Sequence, residues 1–268
     1  MSELHSLFKS VKLPMMSEVA HALINALNHD DTSIQKLGAL LARDPALTAK
    51  VMRLANSAAF GMQRQIDSIE QAIALTGTAQ IRILALTACM NVAFPDVKGL
   101  ERIEFWRYCL TCAGYADWLA AELKLNRQHA WLCGMMVRLG ELLIGQHAPA
   151  KLAEIEKQPQ LPGERWKREQ KLLSFTEAHV TAELARLWDF PDTIVRALDC
   201  VSEPQRTRPF NRMGAVVHLA GWLADMPFLD PIVIDVLPGD VLDPLGLKRE
   251  WLRSHLPDSQ TFFDVSAL

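Results

Sequence analysis

The chain has 268 residues, half of them hydrophobic and 22% charged, with a net charge of −3 and a pI near 6.2. That balance excludes a disordered polypeptide and offers no global attraction to nucleic acid or to an anionic membrane. The longest stretch free of Asp, Glu, Lys and Arg runs only from Ile83 to Pro95, shorter than the ~20 residues a spanning helix needs. The N-terminal MSELHSLFKSVKLP lacks a signal-peptide core and carries Glu3. Five cysteines, an odd number, sit among Leu, Ala and Trp and read as reduced, buried thiols. Cys109 and Cys112 form a C-x-x-C, but no second one follows and no βαβ pattern surrounds it, so two core thiols one helical turn apart are expected. The expected location is the cytoplasm, with no membrane contact and no nucleic-acid partner.

In chain order, Met16, Val19, Leu23, Ile24 and Leu27 trace one helix face. Thr32 and Gln35 form a capping box ahead of Ile34, Leu37 and Leu41. Asp44-Pro45 starts the next helix, because Asp accepts the free amide hydrogens at N-cap and proline loses nothing at N1. That helix buries Leu47, Val51 and Leu54 and ends near Asn56-Ser57, before a loop with Phe60-Gly61. Ser68 and Gln71 repeat the capping box for a short helix stopped at Gly77. Thr78 caps another, with Ile81, Leu84, Ala85 and Ala88 inward and Pro95 beyond its end.

FPDVKG, 94–99, is the best boundary. Longer helices follow over 101–125 and 129–146, then QPQLPG at 158–163 and helices near 164–172, 175–189 and 191–201. Ser174 with Glu177 makes a third capping box, and Pro191 takes N1 of the next helix. SEPQRTRP turns the chain before an apolar helix over 210–225 that carries His218 and Trp222. The tail, 226–268, is rich in proline, and IVIDV at 232–236 is its one plausible strand. The expected fold is all-α in two helical lobes, 1–96 and 97–204, with 205–268 as a C-terminal helix and irregular tail packing on the second lobe.

The run RDPALTAKVMRLANSAAFGMQRQIDSIEQAIALTGTAQIRILAL, 43–86, resembles the HD-related output domain family, HDOD, which bacteria use in signal transduction. Its landmarks are Leu13-Pro14, Asp44-Pro45, Leu54-Ala55-Asn56-Ser57, Phe60-Gly61, Ile66-Asp67-Ser68-Ile69, Gln71-Ala72-Ile73 and Gly77. The resemblance continues more weakly to about residue 204 and leaves the tail uncovered. It implies a second lobe derived from the HD phosphohydrolases, in which histidines and an adjacent His-Asp hold a divalent metal that activates water. Here Gly134-Met135-Met136-Val137-Arg138-Leu139-Gly140 aligns with G-L-L-H-D-I-G, so Val137 and Arg138 replace the His-Asp pair. An upstream histidine position falls at Tyr108 and a downstream His-His pair at Val201-Ser202, leaving only His179. No catalytic residue, metal or cofactor is therefore expected.

Arg138 interrupts an apolar helix, and a buried cation requires an acceptor. Glu141, Glu177 and Asp199 are the available carboxylates, Asp199 being preferred. A structural ion pair is the favoured reading, and a nucleotide phosphate bound by Arg138 is the sharper alternative. His179 reads as a core or capping-region histidine, and the eighteen residues between His129 and His147 place them about 27 Å apart along one helix, too far to share a metal. GERWKREQK, 163–171, reads as a solvated amphipathic helix anchored by Trp166, and Arg206, Arg208 and Arg212 form a second small basic cluster. Asn56-Ser57 should hold the Phe60-Gly61 loop through backbone hydrogen bonds.

The functional expectation is a non-catalytic regulatory protein that contacts separate signalling proteins, since the chain leaves no room for a fused receiver or enzyme domain. The alternatives are a nucleotide or second-messenger sensor and, more weakly, a metal-dependent phosphohydrolase. A partner or ligand is expected in the groove between the lobes, near 94–104 and Arg138.

Overall fold

The computed structural model describes residues 3–28, 33–56, 66–157, 161–226 and 231–262. Thr32, Ser57, Phe60, Gly61 and Phe263 lie outside them. All regular structure among the described residues is helical.

The first lobe comprises α1 (Glu3–Ser10), α2 (Glu18–Asn28), α3 (Ile34–Leu41), α4 (Pro45–Ala55), α5 (Ile69–Thr76) and α6 (Thr78–Ala93). Its helix starts follow the chemistry of single residues. Ser33 caps α3 by accepting from the Lys36 N–H, and Asp44 caps α4 by accepting from the Leu47 N–H at 2.9 Å. Ser68 accepts from the Gln71 N–H, while the Gln71 side chain returns to the N–H of Asp67, one residue before the cap. Gly77, at φ +89°, ends α5 and precedes α6, a backbone conformation that L side chains rarely adopt. Gly77 therefore holds the N-cap position expected of Thr78, which is the first residue of α6. Asn56 ties the two sides of the 57–65 segment: its Nδ2 donates to the Ile66 carbonyl at 2.9 Å and its Oδ1 accepts from the Ile66 N–H at 2.7 Å.

The second lobe is built around α7 (Arg102–Glu122), with α8 (Arg127–Met136) and α14 (Arg212–Ala224) packed against it. Covered by neighbours, α7 buries Phe105, Trp106, Cys109, Leu110, Cys112, Ala113, Tyr115 and Ala116, which explains its weak amphipathicity. The expected single helix over 129–146 is two: α8 stops at Met136 and α9 (Leu139–His147) begins after a break at Val137-Arg138. The chain continues through α10 (Pro149–Glu156), α11 (Glu164–Leu173), α12 (Glu177–Leu187) and α13 (Asp192–Asp199). Ser174 does not cap α12. It ends α11 at φ +66°, and Thr176 is the cap, with His179 completing the box. Pro191 stands at N-cap of α13, one residue before the expected N1.

IVIDV is not a strand: Pro231–Val236 forms a 3-10 helix that leads into α15 (Gly239–Leu245) and α16 (Arg249–His255). Arg249 donates to the Leu237 carbonyl at 2.7 Å and also to that of Ile234, so these carbonyls find their donor in a side chain rather than in a sheet. Trp251 stacks on Trp118, and Phe262 meets Tyr115 edge-on, seating the tail on α7. Between the lobes, Arg102 ties Asn91, Phe94 and Asp96 together. The groove expected near 94–104 holds only about 10 Å³ of free space, roughly one water, and its lining does not include Arg138. No helix among the described residues is long and apolar enough to cross a membrane.

Candidate functional site

The break between α8 and α9 is held from α12. Thr181 Oγ1 accepts from the Gly140 N–H at 2.8 Å and lies 3.2 Å from the Val137 carbonyl and 2.9 Å from that of Glu177. Gly140 permits this approach, because a Cβ there would stand 2.1 Å from the Glu177 carbonyl oxygen. The break places Arg138 at the N-cap of α9, its side chain pointing into the lobe with 12% exposure.

Arg138 ion-pairs with Asp225 at 3.0 Å, not with Asp199, and its Nε lies 3.6 Å from Glu177. Its guanidinium carbon sits 3.5 Å from the ring centroid of Tyr108. Asp225 follows α14 and also accepts from the Gly163 N–H. Asp199 lies elsewhere, in a cleft lined by His179, Arg196 and Arg206. Ion pairs with Asp225 and Glu177 and the Tyr108 ring thus occupy the guanidinium that the sensor alternative would assign to a phosphate.

A second guanidinium lies beside the first. Arg165, on α11 and only 2% exposed, meets Glu141 at 2.8 Å, Glu169 at 3.1 Å, Glu177 at 2.9 Å, and Glu156 as well. The basic 163–171 segment is therefore not a wholly solvated helix, for its first arginine is the centre of a buried cluster. Residues 165, 166, 169 and 173 form its inward face. Glu177 bridges the two arginines, with Oε2 on Arg165 Nε and Oε1 accepting from the Trp166 indole at 3.2 Å while facing Arg138. Glu169 Oε2 accepts from the Glu177 N–H at 2.8 Å. Glu141 and Glu177 stand in the first turns of α9 and α12, where the helix dipole favours a carboxylate.

Five carboxylates against two guanidiniums leave an excess of negative charge, which disfavours ionising all of the acids together. Burial pushes the Glu141 carboxyl up to about 7 despite Arg165 and Arg138. Burial and the neighbouring Glu177 push Glu169 well up, and burial also raises Asp225. Glu156, less buried and hydrogen-bonded to both Arg165 and Glu141, is held below its ordinary value by Arg165 against its desolvation. The cysteines take no part in this chemistry. All five are free and buried, and burial raises their thiols, Cys89 and Cys200 to about 11.

The remaining positions aligned with HD ligands do not converge on a metal. Val137 is buried apolar core, and His179 Nδ1 accepts from the Thr176 N–H at 3.0 Å. The Val201 carbonyl is 2.6 Å from His218 Nδ1, and Ser202 lines a separate cavity. Tyr108 alone stays with Arg138. No group of three or more His, Cys, Asp or Glu among the described residues is placed to hold a metal ion. The residues do not fit a divalent cation: the carboxylates that converge do so on guanidinium nitrogens. The sequence reading missed Arg165, Glu156, Glu169 and Asp225. The first and third carried a signal in their i,i+4 spacing beside Trp166, whereas Asp225 carried none.

A family model for the HDOD domain matches residues 13–204. The chain belongs to the HDOD family. Among solved structures, a candidate phosphohydrolase of Shewanella amazonensis SB2B matches with a TM-score of 0.81 and 25% identity, over 97% of this chain and 95% of that one. An HDOD domain protein of unknown function from Geobacter sulfurreducens matches at 0.78 and 22%, over 95% and 92%. A candidate signal-transduction protein of Marinobacter aquaeolei VT8 matches at 0.77 and 20%, over 99% of this chain and 63% of that one. An uncharacterised protein of Treponema pallidum (strain Nichols) is 22% identical over 191 residues, and the match takes in 69% of this chain but only 37% of that relative's length. The fold and the family thus agree.

Proposed function

We propose that this HDOD protein is a non-catalytic regulator in signal transduction that acts through contacts with other proteins. One observation carries the reading. At the helix break that the sequence resemblance aligns with the HD metal-ligand pair, this lobe packs Arg138 and Arg165 into a carboxylate cluster joined by Glu177. A guanidinium supplies fixed positive charge without an open coordination position, so it can stabilise the fold but cannot generate a metal-bound nucleophile. The family match and the fold shared with a candidate signal-transduction protein support a regulatory role.

The test of the non-catalytic half is hydrolysis of p-nitrophenyl phosphate and bis(p-nitrophenyl) phosphate with Mn²⁺ or Mg²⁺ present. The expected rate equals that of buffer. A metal-dependent turnover that disappears in Glu177→Gln would overturn the reading. The partner half is tested by isothermal calorimetry of purified chain against each protein captured with it, and the expected result is saturable binding by at least one.

A further inference from the structure

Next to the ion cluster lies a cavity of about 460 Å³, within the ~300–1,000 Å³ range usual for small-molecule sites. Three flat rings wall it. Trp166 comes from α11, while His218 and Trp222, four residues apart, share one face of α14. Trp166 and His218 have centroids 5.0 Å apart and tilted by 30°, and His218 and Trp222 are 6.1 Å apart and tilted by 40°. Such a wall takes a flat ring better than an aliphatic chain, because it offers π faces in several orientations.

The polar atoms around the cavity are unevenly spent. His218 is only 6% exposed, and its Nδ1 is 2.6 Å from the Val201 carbonyl. A carbonyl only accepts, so Nδ1 carries the proton. Burial holds the ring neutral by depressing its pKa to about 4, which leaves Nε2 as an acceptor. Gln205 Oε1 and the Trp222 indole N–H are buried without a partner. Glu203 is paired with Arg206, whereas Asp240 makes no ion pair among the described residues, and its charge is felt at His218. Residues that line the cavity thus carry three unspent acceptors, at His218, Gln205 and Asp240, and one unspent donor, at Trp222.

A complementary ligand is flat, brings N–H donors and a ring acceptor on its edge, and carries no negative charge near Asp240. We propose that this cavity binds an aminated nitrogen heteroaromatic ring of nucleobase type, packed against the wall of Trp166, His218 and Trp222 and donating to Asp240. The site is distinct from Arg138 and does not depend on the protein-contact function proposed above.

The experiment uses the full chain labelled with 5-fluorotryptophan, whose seven tryptophans give seven ¹⁹F resonances assignable by single Trp→Phe variants. Guanosine is the probe, and purine riboside, which lacks the amino group and the ring N–H, is the control. Guanosine is expected to shift the Trp166 and Trp222 resonances saturably while leaving Trp118 and Trp251 in place. Purine riboside should bind at least about tenfold more weakly, and Asp240→Asn, a change at an exposed position, should weaken guanosine by about tenfold, equivalent to one charge-assisted hydrogen bond of ~1.4 kcal/mol. The proposal is overturned if guanosine gives no saturable shift at Trp166 and Trp222, if purine riboside binds equally well, or if Asp240→Asn leaves the Kd unchanged.

Discussion

Replacing Arg165 with methionine removes the charge but keeps most of the side chain's length, and so isolates the electrostatics of the cluster. In the wild type this guanidinium meets four carboxylates and is 2% exposed. Removing one partner of a buried pair costs about 3–5 kcal/mol, because the remaining charge stays desolvated and uncompensated. Here Arg165→Met strands several carboxylates at once, which places the expected loss at the upper end, about 4–5 kcal/mol at pH 7.5. The exposed Lys167–Glu164 pair on the same helix gives the contrast: Lys167→Ala should cost less than about 1 kcal/mol. Urea unfolding followed by tryptophan fluorescence reads both losses. The Arg165→Met deficit should also shrink as the pH is lowered from 8 to 5. Without the cation, the folded-state carboxyl pKa values of Glu141 and Glu169 rise further above their unfolded values, so the variant holds protons that its unfolded chain releases. Its stability is then greatest at low pH and falls as pH rises through those folded values. A loss below about 1 kcal/mol, or a loss equal at pH 5 and pH 8, would refute the view of Arg165 as the charge centre of the lobe.

Three further outcomes follow from the same geometry. Glu141, with its carboxyl raised to about 7, contributes stability that is full at low pH and is lost as pH rises from about 4.5 through 7, and Glu141→Gln should remove that contribution. His218, depressed to about 4, acts with the opposite sign between about pH 4 and 6.5, so the wild-type minus Glu141→Gln difference in urea midpoint is the measurement to make. Gly140→Ala forces a Cβ to 2.1 Å from the Glu177 carbonyl oxygen and should destabilise by ~1–3 kcal/mol or more, read as a lowered Tm. His179→Ala dismantles a capping box and should cost about 1 kcal/mol, with no change in the thermal shift produced by Mn²⁺; a shift present in the wild type and lost in the variant would give His179 a ligand role instead.

What the sequence by itself determined is local. Asp44 before Pro45, Ser68 before Gln71, and Gly77 as a stop act within a few residues of themselves, so the starts of α4 and α5 and the end of α5 were legible in the chain, whereas the caps of α3 and α6 fell one residue from Thr32 and Thr78. The reading of Val137-Arg138 in place of a His-Asp pair rests on the chain alone, because it is a matter of which side chain occupies a motif position. Three-dimensional packing decided the rest. Nothing near residue 137 announces a helix break, since Thr181 holds it from 41 residues beyond Gly140. Ser174 and Thr176 both satisfy the pattern of a cap, and only the left-handed turn that ends α11 assigns the role to Thr176. Asp225 was chosen over Asp199 as the partner of Arg138 because α14 lies against α7, and that arrangement brings a distant carboxylate to the guanidinium. Arg165 reads as one of several surface cations until α9, α10 and α12 converge on it with acids of their own. Caps and motif positions are set by neighbours in the chain, whereas the partner of a buried charge is set by whichever helices meet around it.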